Sequence, residues 1–372
     1  MMIRKRFVVV AALIATLFGG QDVMGQGCVA VRPMSCASGG PGLLMEGQWQ
    51  LSNSYRYFRS FRHFRGEHEE KNRVAENTEV INITHATDLG ATYAFNNRST
   101  FAINVPVIYY DRSSLYEHYG NSPTANPTHA RFNTGARGLG DVRLTANYWV
   151  FNPANNFKGN LALGVGLKTP TGNSNVQDVF HRRTKDGRDS TITKAVDQSI
   201  QLGDGGWGVN LEVQGFQQLF NNASLYFNAF YMFNPKNRND ASHSVADQYA
   251  ARLGLNYSAW AEKGLSFGLG SRIEGIPSED LIGKSEGSRR PGYVISVEPS
   301  VSYATGMLNF TLNVPYALYR NRTQSVSDKQ RTKDTGTWVQ GDAAFADYLV
   351  NFNIGFRLGA VKHTQMDQEE KN

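Results

Sequence analysis

Cysteine is nearly missing from this chain: its 372 residues hold only Cys28 and Cys36. A structural metal site needs about four ligands, so this pair excludes one by itself. The histidines, at 63, 68, 85, 118, 129, 181, 243 and 363, show no ligand spacing either, and no GxSxG or comparable nucleophile motif occurs. The sequence therefore predicts no cofactor, no metal and no catalytic site. Past residue 18 there is no long apolar run, and mean hydropathy is −0.42, which excludes a helical membrane protein. A strong charge of one sign is absent too. The net charge is +6, with basic residues gathered in polar segments and no interleaved aromatic–basic motif, so no nucleic-acid partner is expected.

What the chain does have is aromatics, at 12%, and alternation. In Gly138 to Phe151, GLGDVRLTANYWVF, the residues Val142, Leu144, Ala146, Tyr148 and Val150 fall on one face; Arg143, Thr145, Asn147 and Trp149 fall on the other. A period of two is the strand signal. About 10–13 residues at roughly 3.3 Å each, tilted by about 40°, cross an apolar band of about 25 Å. The next segment returns from Phe157 to Pro170 after the turn Asn152–Asn156. That pattern is one hairpin of a membrane barrel.

The amino terminus reads as an export signal over residues 1–25. Arg4, Lys5 and Arg6 precede an apolar run from Phe7 to Phe18, and Val23-Met24-Gly25 offers a small-residue cleavage site. Residues 26–47 then form an extension. In an oxidising compartment Cys28 and Cys36 would close a small disulfide loop. The alternative is a lipidated Cys28, although Gly25-Gln26-Gly27 lacks the aliphatic residue such a site uses.

Taken in order, twelve strands are expected: Gln48–Phe61, Glu79–Phe95, Ser99–Asp111, Gly138–Phe151, Phe157–Pro170, Trp207–Phe220, Ala223–Phe233, Asp247–Trp260, Leu265–Ile276, Gly292–Ala304, Met307–Arg320 and Asp347–Gly359. The connections after even strands are short, as at Asn96-Asn97-Arg98; those after odd strands are long and polar. This asymmetry is that of an all-β, transmembrane antiparallel barrel, about 12 strands, with short periplasmic turns and long extracellular loops. Residues 48–359 make the barrel and 360–372 a charged tail, and the location is the bacterial outer membrane.

Three short motifs, GLGD (Gly138–Asp141), GLKTPTG (Gly166–Gly172) and LGDGGWG (Leu202–Gly208), sharpen this. Through them the chain resembles the outer-membrane barrels of the phenol-degradation meta-pathway group, also labelled "transporter". The likeness runs from about Gly138 to Phe233. It implies a barrel for small, hydrophobic solutes. The charged tail after strand twelve departs from the aromatic closing strand usual in such chains.

Placing the apolar faces in lipid leaves Arg56, Asp88, Asp141, Arg143, Lys168, Glu212, Arg252, Arg272, Glu274, Glu298, Asp347, Asn351 and Arg357 in the lumen. Acids and bases nearly balance, so ion pairs are expected. Each could be mere filling of a narrow barrel; as a set they read as a selectivity lining. An internal echo adds a second feature. FAINVPV from Phe101 recurs as FTLNVPY from Phe310, putting Asn104, Pro106, Asn313 and Pro315 on the lumen face, with Pro299 a third mid-strand proline. Proline lacks a ladder donor, so each marks a wall kink or a weak point for lateral exit.

His85 falls on the lipid face near Thr87, which suits a headgroup-level histidine better than a hydrolase. The loop run Arg182, Arg183, Lys185 and Arg188 suits lipopolysaccharide phosphates or plain solvent. The chain thus reads as a passive channel for a small solute, with outer-membrane lipid as its other partner. A structural or adhesive barrel with a plugged lumen is the alternative, and an outer-membrane lipid hydrolase a distant third.

Overall fold

The computed structural model describes residues 43–359. The expected export signal, the Cys28–Cys36 bridge and the charged tail lie outside the described residues. Among these, no helix is long and apolar enough to cross a membrane.

The chain runs through β1 (Trp49–Arg65), β2 (His68–Glu69), α1 (Lys71–Ala75), β3 (Ile81–Ala94), β4 (Ser99–Leu115), β5 (Glu117–His118), β6 (Arg131–Leu139), β7 (Arg143–Trp149) and β8 (Gly159–Lys168). It continues through β9 (Gln177–Arg183), β10 (Asp189–Ala195), β11 (Gly208–Phe220), β12 (Ala223–Phe233), β13 (Gln248–Trp260), β14 (Leu265–Ile276) and β15 (Gly292–Thr305). The last elements are β16 (Leu308–Asn313), β17 (Tyr316–Arg322), α2 (Val326–Thr335) and β18 (Ala343–Leu358). Twelve antiparallel staves close into a barrel. Ten are single strands; stave four is β6 plus β7, and stave eleven is β16 plus β17.

Closure comes from β18 pairing with β1, from Trp49↔Leu358 up to Phe64↔Ala343. It removes both sheet edges, whose unpaired amides would each cost several kcal/mol in hydrocarbon. Alternation sets the two faces. Along β1, Trp49 and Leu51 stand exposed to lipid, whereas Arg56, Phe58 and Ser60 are buried inside. A girdle of Trp49, Tyr93, Tyr148, Tyr257, Trp260 and Tyr303 rings the periplasmic end, where amphipathic rings suit the membrane interface.

The short turns have local causes. In the turn between β3 and β4 Asn96 Oδ1 accepts from the N–H of Arg98 and of Ser99, both at 2.8 Å, which ties the turn to its own side chain. Gly264 sits at φ 71° in a turn where a Cβ would strike the Ala304 carbonyl; only glycine fits there.

Differences from expectation gather at the extracellular end. β1 continues to Arg65, β4 to Leu115, and stave four begins at Arg131, inside what reads as a polar loop. These extensions stand above the apolar layer, so their outward residues (Asp111, Ser113, Asn133, Arg137) need not be apolar and the alternation signal vanishes. The segment between β8 and β11 holds the hairpin β9–β10, joined in parallel to β5. The last long connection contains α2, started by a capping box of Ser325 and Asp328 and stopped by Gly336 at φ 67°. Strand twelve starts at Ala343 for the same reason as β1 overruns: Ala343 and Phe345 pack on Phe64 above the belt.

Candidate functional site

The lumen is organised around two interruptions of the wall and the charged groups beside them. Stave four breaks at Gly140-Asp141-Val142, opposite Pro106 of β4. The Pro106 carbonyl accepts from Gly140 N at 2.8 Å, so its missing donor also faces stave four. Stave eleven breaks at Val314-Pro315, opposite Pro299 of β15, with Val314 N donating to the Pro299 carbonyl at 3.1 Å. On its other side the Pro315 carbonyl accepts from Leu349 N at 3.1 Å, and above this β17 meets β18 only at Tyr316↔Tyr348. Pro106 and Pro315 are buried toward the lumen, whereas Pro299 is exposed to lipid.

At the first break the three glycine-rich motifs meet. Asp141 Oδ1 accepts from Gly172 N at 2.9 Å and its Oδ2 from Asp204 N at 3.1 Å. Lys168, buried, pairs with Asp204. Val142 N donates to Thr171 Oγ1 at 2.8 Å, Thr171 Oγ1 donates to the Gly140 carbonyl at 3.0 Å, and Thr169 N donates to the Val142 carbonyl at 2.9 Å. The Thr171 hydroxyl and the Thr169 amide thus stand in for the missing ladder, while loop amides hold the Asp141 side chain. The two glycines are required by contact: a Cβ on Gly172 would lie 2.7 Å from the Leu202 carbonyl, and one on Gly203 2.5 Å from that of Gly172. Just beyond the knot Leu202, with Val176, packs on Ala86, Ile108 and Ala136 of the inner wall, so this loop folds into the barrel.

At the second break the filling is side chains. Arg320 Nε donates to the Ala346 carbonyl at 3.1 Å, and its Nη2 lies 2.7 Å from Asp347. Arg62 also reaches Asp347 at 2.6 Å and pairs with Glu69 at 2.6 Å. In the extracellular rim Glu69 is held below the usual carboxylate range, chiefly by the hydrogen bond from Arg62.

A third charged group lies along the inner wall of the adjacent staves eight to ten. Arg252 lies 3.5 Å and Arg272 3.7 Å from Glu298, and Arg272 also pairs with Glu274. Tyr226 lies flat beside it, over Gly254 and Gly270, where a Cβ on either would be 2.6 Å from its hydroxyl. Below these groups a cavity of ≈490 Å³ opens toward the periplasmic end. Asp88, Arg252, Arg357, Asn104, Asn313 and Asn351 line it, together with the buried Leu44. Its edge reaches both breaks: Asn104 lies two residues before Pro106, and Asn313, accepting from Asn351 Nδ2 at 2.8 Å, two before Pro315.

The charged residues named from the sequence therefore fall into separate groups instead of one lining. Asp141 and Lys168 belong to the knot, Asp347 to the second seam, Arg252, Arg272, Glu274 and Glu298 to the lumen cluster, and Asp88 and Arg357 to the cavity. Arg56 and Arg143 point inward, and Glu212 accepts from Asn210 Nδ2 at 2.6 Å. Sequence reasoning missed Asp204, Arg62 and Arg320. Asp204 sits in a motif already noticed, LGDGGWG, so its signal was present. His85 faces lipid, its Nδ1 2.7 Å from the Tyr55 hydroxyl, with the rings of Tyr57 and Tyr109 beside it. This is an aromatic contact toward the extracellular end of the lipid face.

No family model matches the chain, and no curated protein matches it. Among solved structures, its fold is similar to that of an outer-membrane channel from Pseudomonas putida F1. The TM-score is 0.56 at 14% identity, over 88% of this chain and 100% of that one. The chain has the fold of an outer-membrane β-barrel. Looser overlays are found with the P. putida toluene transporter TodX (TM-score 0.44, 9% identity, 87% of this chain and 92% of that chain) and with a Pseudomonas aeruginosa FadL homologue (TM-score 0.43, 6% identity, 84% and 90%).

Proposed function

We propose that this barrel is a passive channel for a small hydrophobic solute, which occupies the lower cavity and crosses the wall at the seam between β17 and β18. The observation that carries this reading is the seam itself. A regular ladder stops at Asn313↔Asn351, one pair follows at Tyr316↔Tyr348, and above that the strands are joined through Arg320. A straight path has to pass the buried Arg252–Glu298–Arg272–Glu274 cluster and the inward-folded loop. The cavity beneath has the buried Leu44 beside the neutral Asn104, Asn313 and Asn351, a lining that suits a small, uncharged solute. The likeness to a channel of P. putida F1 supports the same class of activity.

The test locks the seam. Tyr316→Cys with Tyr348→Cys, oxidised to a disulfide, should slow passage of apolar solutes into proteoliposomes, reversibly with reductant, while leaving small-ion conductance unchanged. An unchanged solute rate in the locked protein sinks the lateral route. The plugged, structural reading is favoured by Leu202 packing on the inner wall; it stands if neither ion current nor solute flux is found in the unlocked protein.

A further inference from the structure

We propose that the outward face of staves one to four carries a binding site for the phosphate groups of the outer-leaflet glycolipid, with Arg59 and Arg137 as its ligands. The lipid-facing residues change character rung by rung toward the outside. Tyr55↔Thr87↔Val107↔Leu139 is largely apolar; the next rung, Tyr57↔His85↔Tyr109↔Arg137, is aromatic and ends on an arginine; the next, Arg59↔Ile83↔Asp111↔Gly135, opens on one. Apolar, then aromatic, then cationic is the order a lipid presents from acyl chain to headgroup. Because the rung lies at the end bearing the long loops, the headgroups it meets are those of the outer leaflet.

Both arginines are free to take a ligand. Among the described residues neither makes a hydrogen bond or ion pair: Arg137 is exposed, and Arg59 stacks 4.1 Å over the Phe61 ring and shares the positive field of Arg131. Three strand spacings of about 4.8 Å separate their staves, roughly 15 Å, a span two phosphates of one glycolipid or of neighbours can bridge. A guanidinium matches a phosphate with two parallel N–H donors. Arg131, higher on the same face, adds positive field but is committed: it donates to Ser113 Oγ at 3.1 Å and to the Asn77 and Glu79 carbonyls at 3.1 and 2.8 Å. On these three rungs Asp111 is the one acid. The opposite side of the barrel has nothing comparable among the described residues, its outward rungs there being Tyr249↔Gly275↔Tyr293 and Ala251↔Ile273↔Ile295.

The loop run that the sequence first suggests is largely occupied by the protein itself. Arg183 donates to the Gly187 carbonyl at 2.8 Å and stacks on Tyr116, Arg182 lies 3.8 Å from Glu117, and Arg188 2.7 Å from Asp186. The site is on the barrel wall.

The full-length barrel, extracted in mild detergent from lipopolysaccharide-containing membranes, is washed and its bound lipopolysaccharide counted by native mass spectrometry. Arg59→Gln with Arg137→Gln should lower retention by at least about tenfold, and Arg59→Lys with Arg137→Lys should restore part of it. The four-fold loop variant R182Q/R183Q/K185Q/R188Q should retain the original amount. Should the double variant fail to fold, Asp111→Asn reads the same face in the other direction and should raise retention. Original retention in a folded double variant, no change in Asp111→Asn, or loss in the loop variant alone overturns the site. Capture of inorganic phosphate with no glycolipid retained overturns it as well.

Discussion

The two interruptions of the wall are alike in sequence and unlike in construction. The first lies opposite an Asn-Val-Pro, Asn104 to Pro106, the second within one, Asn313 to Pro315, and each leaves a strand without its regular ladder. The stave-four break is filled by a packed loop: the Thr171 hydroxyl and the Thr169 amide satisfy the exposed groups, the Gly172 and Asp204 amides hold Asp141, and Asp141 and Lys168 are buried among them. At the stave-eleven break the filling is Arg62, Asp347 and Arg320, and the side chains of Arg62 and Asp347 are still 29% and 26% exposed. Packed backbone moves as a unit or not at all, because interiors are close-packed. Long ion-paired side chains at a wet rim can let go one at a time, each pair being worth about 1 kcal/mol or less. An Asn-Val-Pro thus borders a packed knot on one side of the barrel and an ion-paired seam on the other.

The largest expected effect separates the two directly. Lys168→Met leaves the Asp204 and Asp141 carboxylates without their cation in a buried site, which should cost about 3–5 kcal/mol. Asp347→Asn at the seam should cost about 1 kcal/mol and speed solute passage. Urea titration of the folded, fast-migrating form in gels measures both; equal losses would erase the contrast between knot and seam.

Next comes Gly203→Ala. Its Cβ has no room beside the Gly172 carbonyl, so a loss of about 2–3 kcal/mol is expected from overpacking. The same titration checks it, and a neutral result would mean that the loop at this break yields easily.

Acid sharpens the comparison further. Glu69 has a folded pKa below its ordinary value, so its contribution through Arg62 is fully present above that ordinary value, about 4.3, and is lost as pH falls through the lower folded one. Solute passage should therefore rise below about pH 4, and Glu69→Gln should show the fast rate at neutral pH. A rate flat with pH in the original protein would remove Glu69 from the seam.

The smallest effect is the proline pair. In Pro315→Val the restored N–H would point at β18, since the Pro315 carbonyl already accepts from Leu349 N. That substitution should add about 1 kcal/mol of pairing and slow solutes. Pro106→Val should leave the rate unchanged, because its donor would face the filled knot. A reversed order in flux measurements would exchange the roles of the two breaks.

Much of this protein is determined by local pattern. Period-two alternation from Trp49 to Leu358, tight turns at Asn96 and Gly264, and the short–long rhythm of connections require a closed antiparallel barrel, since in lipid every amide needs a partner and only closure provides it. The prolines and their parity were legible for the same reason: alternation assigns a face without any tertiary knowledge. Above the apolar layer that rule lapses, which is why Asp111 to Leu115 and Arg131 to Arg137 pass for loop, and α2 shows only as an S-x-x-D start. The tertiary structure alone decided which charge meets which. Asp141, Lys168 and Asp204 are neighbours because a loop folds inward, and Arg320 reaches Asp347 because β17 parts from β18. Those pairings depend on distances between chain segments far apart in sequence, and no periodicity along one strand encodes them.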